Sequence, residues 1–401
     1  MGNLNSIIIE TPVVKDGNKI LCKFKCIGEV NKYFNNNTFY LEVNDIVDSV
    51  PISILNIPIL ANICPIAWIT GSDIYIDQID NQFLESMKKI KASFQIMYPQ
   101  HTFRGEIFYQ EIVSNQEYES QASGLFFSGG VDSVTSFIRK KHEFPYLLTV
   151  LGADIPESDI KACCKVENNV MQLAFEHHLV PVFLKSNLRT FLNEKKLNTN
   201  FSKFGLSNWW GSIQHGLGMV GLSAPLTYLK GINTIYFATS PGIFSVESCL
   251  DSAPWGSHPS IENNLKWGKT KTELEGMELN RFDKINIIAD FLRIYDSSIK
   301  LRVCWESTSG DNCGNCEKCA RTMAALLLEG LNPSELGFNT YNPSIHSLSK
   351  NKQFFSKLND NKELQWKCIK NRISSTIYEE DFEFFHFYQW ILQTEFKRQT
   401  G

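Results

Sequence analysis

Apolar positions divide the chain into two differently patterned parts. Up to about residue 120 the apolar runs are short and rich in β-branched and aromatic residues. Ile7, Ile8 and Ile9, then the stretches 20–26, 39–43 and 74–77, predict strands. Asp16-Gly17-Asn18 and Asn35-Asn36-Asn37 separate them as turns. Phe83, Met87 and Ile90 fall at helical spacing and predict a helix over 81–92. The reading is a separate β-rich accessory domain over 1–120. A polar linker follows at 114–123.

From Gly124 the pattern alternates strand with helix. Strands are predicted over 125–127, 146–151, 181–184 and 232–238. Helices are predicted over 131–141 and 159–178, with Ser158 or Asp159 placed to cap the second. The stretch 209–229 is apolar and rich in Gly and Ser, which predicts a buried helix packed closely on the sheet. This alternation predicts an α/β fold with a doubly wound parallel sheet over 121–300. A four-cysteine knuckle and its helix follow at 301–330, and 331–401 reads as helical. The tail carries an aromatic cluster: Phe382, Phe384, Phe385, Phe387, Tyr388 and Trp390. No internal repeat is visible.

Composition narrows the class. A chain of 401 residues asks for more than one core. Hydrophobic residues at 43% and charged residues at 20% suit a globular protein, not a disordered one. The net charge of -4 argues against a nucleic-acid partner. No run reaches the ~18 apolar residues of a membrane span. The start lacks the basic and apolar regions of a secretory signal. Gly2 with Ser6 fits the N-myristoylation pattern, which is degenerate enough to read as chance. Eleven cysteines, an odd count, predict reduced thiols and a cytoplasmic location. Seven of them (Cys22, Cys26, Cys64, Cys163, Cys164, Cys249 and Cys368) read as small apolar residues. The oligomeric state is left open, with a homodimer one option.

The chemistry concentrates in two motifs. Ser128-Gly129-Gly130-Val131-Asp132-Ser133 follows a buried strand and opens a helix. Gly129 and Gly130 let the backbone approach a ligand, and N–H groups through Val131 to Ser133 point at an anion. The helix N-terminus favours negative charge, and the Ser128 and Ser133 hydroxyls can reach phosphate oxygens. Asp132 would repel phosphate unless a cation lies between, so Mg²⁺ is implied. The loop lacks the Gly-Lys-Ser/Thr ending of a Walker loop and the third Gly of a dinucleotide fingerprint.

The second motif crowds Cys304, Cys313, Cys316 and Cys319 into sixteen residues, with Gly314 allowing a tight turn. Four thiolates at such spacing favour structural Zn²⁺. An iron–sulfur cluster competes, but the Cys-Pro continuation of ferredoxins is missing.

The loop resembles the SGGxDS pyrophosphate loop of N-type ATP pyrophosphatases, which activate an oxygen of their substrate and release pyrophosphate. Together with the cysteine segment it resembles the QueC-like family, 7-cyano-7-deazaguanine synthases, over roughly residues 124–330. The resemblance implies that Ser128 to Ser133 hold ATP and that the four cysteines hold zinc. It implies adenylation of a 7-carboxy-7-deazaguanine-type carboxylate and transfer to a nitrogen nucleophile. The chain is far longer than the compact family enzymes. Trp255-Gly256-Ser257-His258-Pro259, then Arg281 and Lys284, then Cys304-Trp305, look closer to QueC-like proteins of bacterial antiviral operons. By that analogy the domain over 1–120 is expected to present a different nitrogen nucleophile, an amine of a partner protein. The competing readings are a tRNA-thiolating enzyme with the same loop and a non-catalytic nucleotide-binding scaffold.

Further candidates sit where ligands of open α/β sheets bind, beyond the carboxyl ends of the strands. Asp154 reads as a ligand for Mg²⁺ or ribose, or as a solvated acid. The segment Thr239-Ser240-Pro241-Gly242 follows the last strand. His258 is a candidate for substrate binding or proton transfer. Lys284, with Arg281, is a candidate for stabilising charge at phosphorus. His215 reads as a core histidine, and Trp209 and Trp210 as helix packing more than as a stacking pair.

Overall fold

The computed structural model describes residues 5–115, 121–202, 205–239, 254–295, 297–338, 358, 360–374 and 385–396. The expectations for Gly2, Ser240, Pro241, Gly242, Cys249, Phe382, Phe384 and part of the linker, 116–120, lie outside these residues.

Among the described residues twelve strands form one sheet. Six come from the first part: β1 (Ser6–Ile9), β2 (Val13–Lys15), β3 (Lys19–Ile27), β4 (Thr38–Val43), β5 (Asp73–Asp80) and β6 (Ile107–Val113). Six follow: β7 (Ala122–Phe126), β8 (Tyr146–Leu151), β9 (Pro181–Ser186), β10 (Ile232–Ala238), β11 (Lys266–Trp267) and β12 (Thr270–Glu275). Their order is β11-β12-β10-β7-β8-β9-β4-β3-β1-β5-β6, with β2 paired to β3. From β12 to β9 every neighbour is parallel.

The parallel strands are apolar on both faces because helices cover both. Phe126, Leu148, Leu184 and Phe237 point into one core. Leu125, Leu147, Phe183 and Tyr236 point into the other. The second core is roofed by the helices Val131–Lys140, Ile160–Glu176 and Arg281–Ile294. Asp159 caps the middle helix by accepting from Ala162 N at 3.1 Å.

The accessory part departs from the strand-rich expectation. It contains the helix Ile57–Thr70, which the pattern did not predict, besides the helix expected over 81–92, found at Asn81–Met97. The first was invisible to periodicity because nearly every residue from Ile57 to Ile69 is buried, so no polar stripe marks its outer face. β4 also pairs antiparallel with β9, Val43 opposite Leu184, so the two parts share one continuous sheet and one core.

The Gly/Ser-rich stretch is a π-helical turn (Trp210–Gln214) followed by the helices His215–Gly221 and Ala224–Lys230. Gly218 and Gly221 approach the helix Ile57–Thr70, while the helix Ala224–Lys230 packs on β10 as expected. A Cβ on Gly218 would lie 2.6 Å from Asn62 Oδ1, and one on Gly221 would lie 2.4 Å from Ala61 Cβ. At the far end, the helices Asp360–Ser374 and Phe385–Gln393 bury Trp366, Phe387 and Trp390 against Ala320, Ala324 and Leu327. Among the described residues no helix is long and apolar enough to cross a membrane.

Because Gly221 touches Ala61 at contact distance, Gly221→Val should lower stability by about 1–3 kcal/mol through overpacking. Thermal unfolding measures this. An unchanged melting temperature would contradict the close helix contact.

Candidate active site and metal centre

The chain runs from β7 to β8 and β9 on one side, then crosses to β10 on the other side of β7. That reversal opens a crevice beyond the carboxyl ends of β7 and β10, the place where open α/β sheets bind ligands. A cavity of about 540 Å³ occupies it. Its floor is the loop Ser128 to Ser133, together with Thr149, Asp154 and Thr239.

The loop is held by its own side chains. Gly129 adopts φ 75, a left-handed value that favours glycine. Ser133 Oγ donates to Gly130 O at 3.1 Å and accepts from Ser128 N at 3.2 Å. Gly130 N donates to Ser128 Oγ at 3.3 Å. The helix Val131–Lys140 starts directly on this loop, with Gly130 as its cap. Its N-terminal dipole therefore points at the cavity.

Asp132 is paired to two cations of the chain, with Lys284 Nζ at 2.7 Å and Arg281 Nη2 at 3.4 Å. Burial works against its charge, but Arg281 and Lys284 outweigh it and hold the carboxyl down at about 2. Lys284 is itself buried and also donates to Thr239 O. It stands behind Asp132, outside the cavity lining, so it orients the carboxylate rather than facing a ligand directly. Burial lowers the proton affinity of Lys284 and Asp132 partly restores it.

The cationic lining comes from elsewhere. Arg281, Arg302 and Lys318 all border the cavity. Arg302 donates from its backbone N to Gly129 O at 2.8 Å and from Nε to Ser128 O at 3.1 Å. Its Nη2 lies 3.5 Å from Asp154 Oδ2, and Asp154 is also on the wall. Arg302 and Lys318 were not singled out in the sequence. The available signal was their place in the cysteine segment, two residues before Cys304 and one before Cys319.

The lining also carries the aromatic rings of Trp210, Phe237, Trp255 and Trp305, with Lys318 Nζ 4.9 Å from the Trp305 ring centroid. The Arg189 guanidinium lies 4.5 Å from the Trp210 ring centroid. Trp209, by contrast, is buried in the core. Among the described residues, Thr239 Oγ1 and Trp255 Nε1 are buried in the cavity lining without a hydrogen-bond partner, which suits polar atoms that meet a ligand. His215 lines the cavity too, with Nδ1 2.7 Å from Ser257 Oγ. His258 does not. Its Nδ1 accepts from Ser260 N at 3.1 Å, capping the helix Pro259–Glu262.

The four cysteines converge. All four sulfurs lie within 4.8 Å of one another, with Cys304–Cys316 and Cys313–Cys319 both at 3.9 Å. Zinc–sulfur bonds of about 2.3 Å in a tetrahedron place sulfurs about 3.8 Å apart, so the cluster can hold a metal such as zinc. Gly314 turns the knuckle at φ 70. Cys316 N donates to Cys313 Sγ at 3.3 Å. Asn312 Oδ1 accepts from Val303 N at 2.8 Å, and its Nδ2 donates to Leu301 O and Gly337 O, fixing the approach to Cys304. Cys304 borders the cavity, so the metal centre and the loop share a wall.

No protein-family model matches the chain, and no curated protein matches it.

Two outcomes follow from this geometry. Asp132→Ala strands the buried Lys284 charge and should cost about 3–5 kcal/mol. The double variant Asp132→Ala/Lys284→Met should recover most of that in denaturant unfolding. Equal stability of the single variant and the native chain would contradict the pairing. Elemental analysis should find about one zinc per chain, and Cys313→Ser should lose it along with a drop in melting temperature. Iron with visible absorbance would overturn the zinc assignment.

Proposed function

We propose that this chain is a QueC-like ligase that uses ATP to adenylate a carboxylate of the 7-carboxy-7-deazaguanine type. Pyrophosphate leaves, and the acyl group passes to a nitrogen nucleophile. The observation that carries this reading is the mixed lining of the cavity at the switch point. It offers backbone N–H groups, two serines, a helix N-terminus and three cations, a set suited to a triphosphate. It also offers aromatic rings and two polar atoms unpartnered among the described residues, a set suited to a planar heterocycle.

In this reading a carboxylate oxygen of the substrate attacks the α-phosphorus, and the bond to the pyrophosphate oxygen breaks. Arg281, Arg302 and Lys318 receive the charge that develops on the leaving pyrophosphate. Asp132, ionised and oriented by Lys284, is the residue that would hold Mg²⁺, which would supply charge neutralisation at the phosphates. Asp154, tied to Arg302, lies on the same wall for ribose or metal. The nitrogen nucleophile then attacks the acyl carbon and AMP leaves.

Ammonia is the simplest acceptor. An amine of a partner protein docked through residues 1–120, in a bacterial antiviral setting, is the acceptor that the resemblance favours.

The test is pyrophosphate release from Mg-ATP and 7-carboxy-7-deazaguanine, with ammonium present. Release should depend on the carboxylate, and Lys318→Met should slow it about 100-fold. No release under any acceptor condition, including cell lysate, would contradict the reading.

A further inference from the structure

The two edges of the sheet are built differently. One is β11, only the two residues Lys266–Trp267. A very short edge strand is one way proteins keep an edge from pairing. The other is β6, seven residues long, Ile107–Val113. It carries no Pro and no Lys, and its register with β5 holds from Ile107 to Val113, so none of the usual edge protections is present. Among the described residues no strand pairs with its outer side.

That outer side is set to receive a strand. Ile74 N donates to Glu106 O at 2.8 Å. Alternate residues of a strand bond to the same neighbour, so Phe108, Gln110 and Ile112 turn their backbone groups to β5. Ile107, Tyr109, Glu111 and Val113 turn theirs outward. Side chains alternate as well. Ile8, Tyr75 and Phe108 are cross-strand neighbours on the face that also carries Gln110 and Ile112, and all five are exposed. The Tyr75 and Phe108 rings stack with centroids 5.1 Å apart. Tyr109 is the neighbour of Ile76, which points into the helix-covered core, so Tyr109 and Glu111 lie on the helix side. There Lys91 Nζ donates to Gly105 O at 2.8 Å, just before β6. The helix Asn81–Met97 joins two parallel strands and therefore runs opposite to β6. Lys88, one turn before Lys91, thus comes level with Tyr109, close enough for the two groups to interact electrostatically.

We propose that β6 pairs antiparallel with β6 of a second copy of this chain, about a two-fold axis at Gln110. The strand complements itself in that register. Gln110 is its midpoint, so all seven residues find a partner. The outward groups of Tyr109 meet those of Glu111 of the second copy, and those of Ile107 meet those of Val113. Phe108 lies against Ile112 on the exposed face, an aromatic–aliphatic pair on each side of the axis. Glu111 faces Tyr109 and comes beside Lys88, so opposite charges meet twice across the axis. An axis at Glu111 would set acid against acid. An axis at Tyr109 would set Phe108 against Gln110 and Glu106 against Ile112. Charge and apolar contact together select a second copy in one register. Seven strand spacings, about 34 Å, separate β6 from β7, so pairing leaves both cavities open. The proposal does not depend on what those cavities bind.

The test uses the full chain. Sedimentation should show a dimer. The two residues at position 110 form a non-hydrogen-bonded pair with Cα atoms about 4.5 Å apart, within reach of a disulfide. Gln110→Cys chains should therefore link in pairs on mild oxidation. At position 109 the separation across the axis is about 9 Å, too far for a disulfide, so Tyr109→Cys should link no more than the native chain. Tyr109→Pro removes an outward N–H that β5 does not use. The fold should stand by circular dichroism, while the dimer dissociation constant rises about 30-fold for the two hydrogen bonds lost across the axis. If that variant does not fold, the two cysteine variants decide alone. A monomer at every concentration, a folded Tyr109→Pro dimer as tight as the native one, or equal linking at positions 109 and 110 overturns the proposal. So does a different protein from cell lysate linked at position 110 in place of a second copy.

Discussion

The pairing of Asp132 with Lys284 and Arg281 is the interaction on which the site depends. It ties the first turn of the helix Val131–Lys140 to the first turn of the helix Arg281–Ile294. Through the Lys284 bond to Thr239 O it also ties both to the end of β10. Three segments far apart in sequence are thus fixed around one carboxylate. Arg302 completes the frame by joining the loop to the cysteine segment through Gly129 O and Ser128 O. The energetics explain why the frame is rigid. A buried ammonium is stable only while its counter-ion stays in place, so displacement of any one partner exposes an uncompensated charge.

Much of the sheet was legible because its strands and helices obey different periods. The strand at 232–238 and the strand at 146–151 are found where alternation and β-branched content put them. The helix expected over 131–141 ends at Lys140, and the one expected over 159–178 spans Ile160–Glu176. What failed had no periodic signal to read. The helix Ile57–Thr70 is buried all round, and β11 and β12 carry charged residues on a short hairpin near the sheet edge. The pairing of β4 with β9 is a long-range contact that no local pattern encodes.

The site shows the same division. The loop and the four cysteines were readable because short-range spacing dictates their chemistry: glycines for a left-handed turn, thiols for a tetrahedron. The roles of the scattered residues needed three dimensions. Lys284 turns its charge on Asp132. His258 serves as a helix cap. His215, which sits among small residues in a helix, reaches the cavity because the π-helical turn Trp210–Gln214 precedes it and the ring finds Ser257.

The most direct measurement of the central claim follows the oxygen atoms. With ¹⁸O in the carboxylate of 7-carboxy-7-deazaguanine, turnover with Mg-ATP and ammonium should yield AMP carrying one ¹⁸O. That label arises only if the carboxylate attacks the α-phosphorus and AMP later departs with that oxygen. Unlabelled AMP, or ADP with inorganic phosphate, would contradict the account.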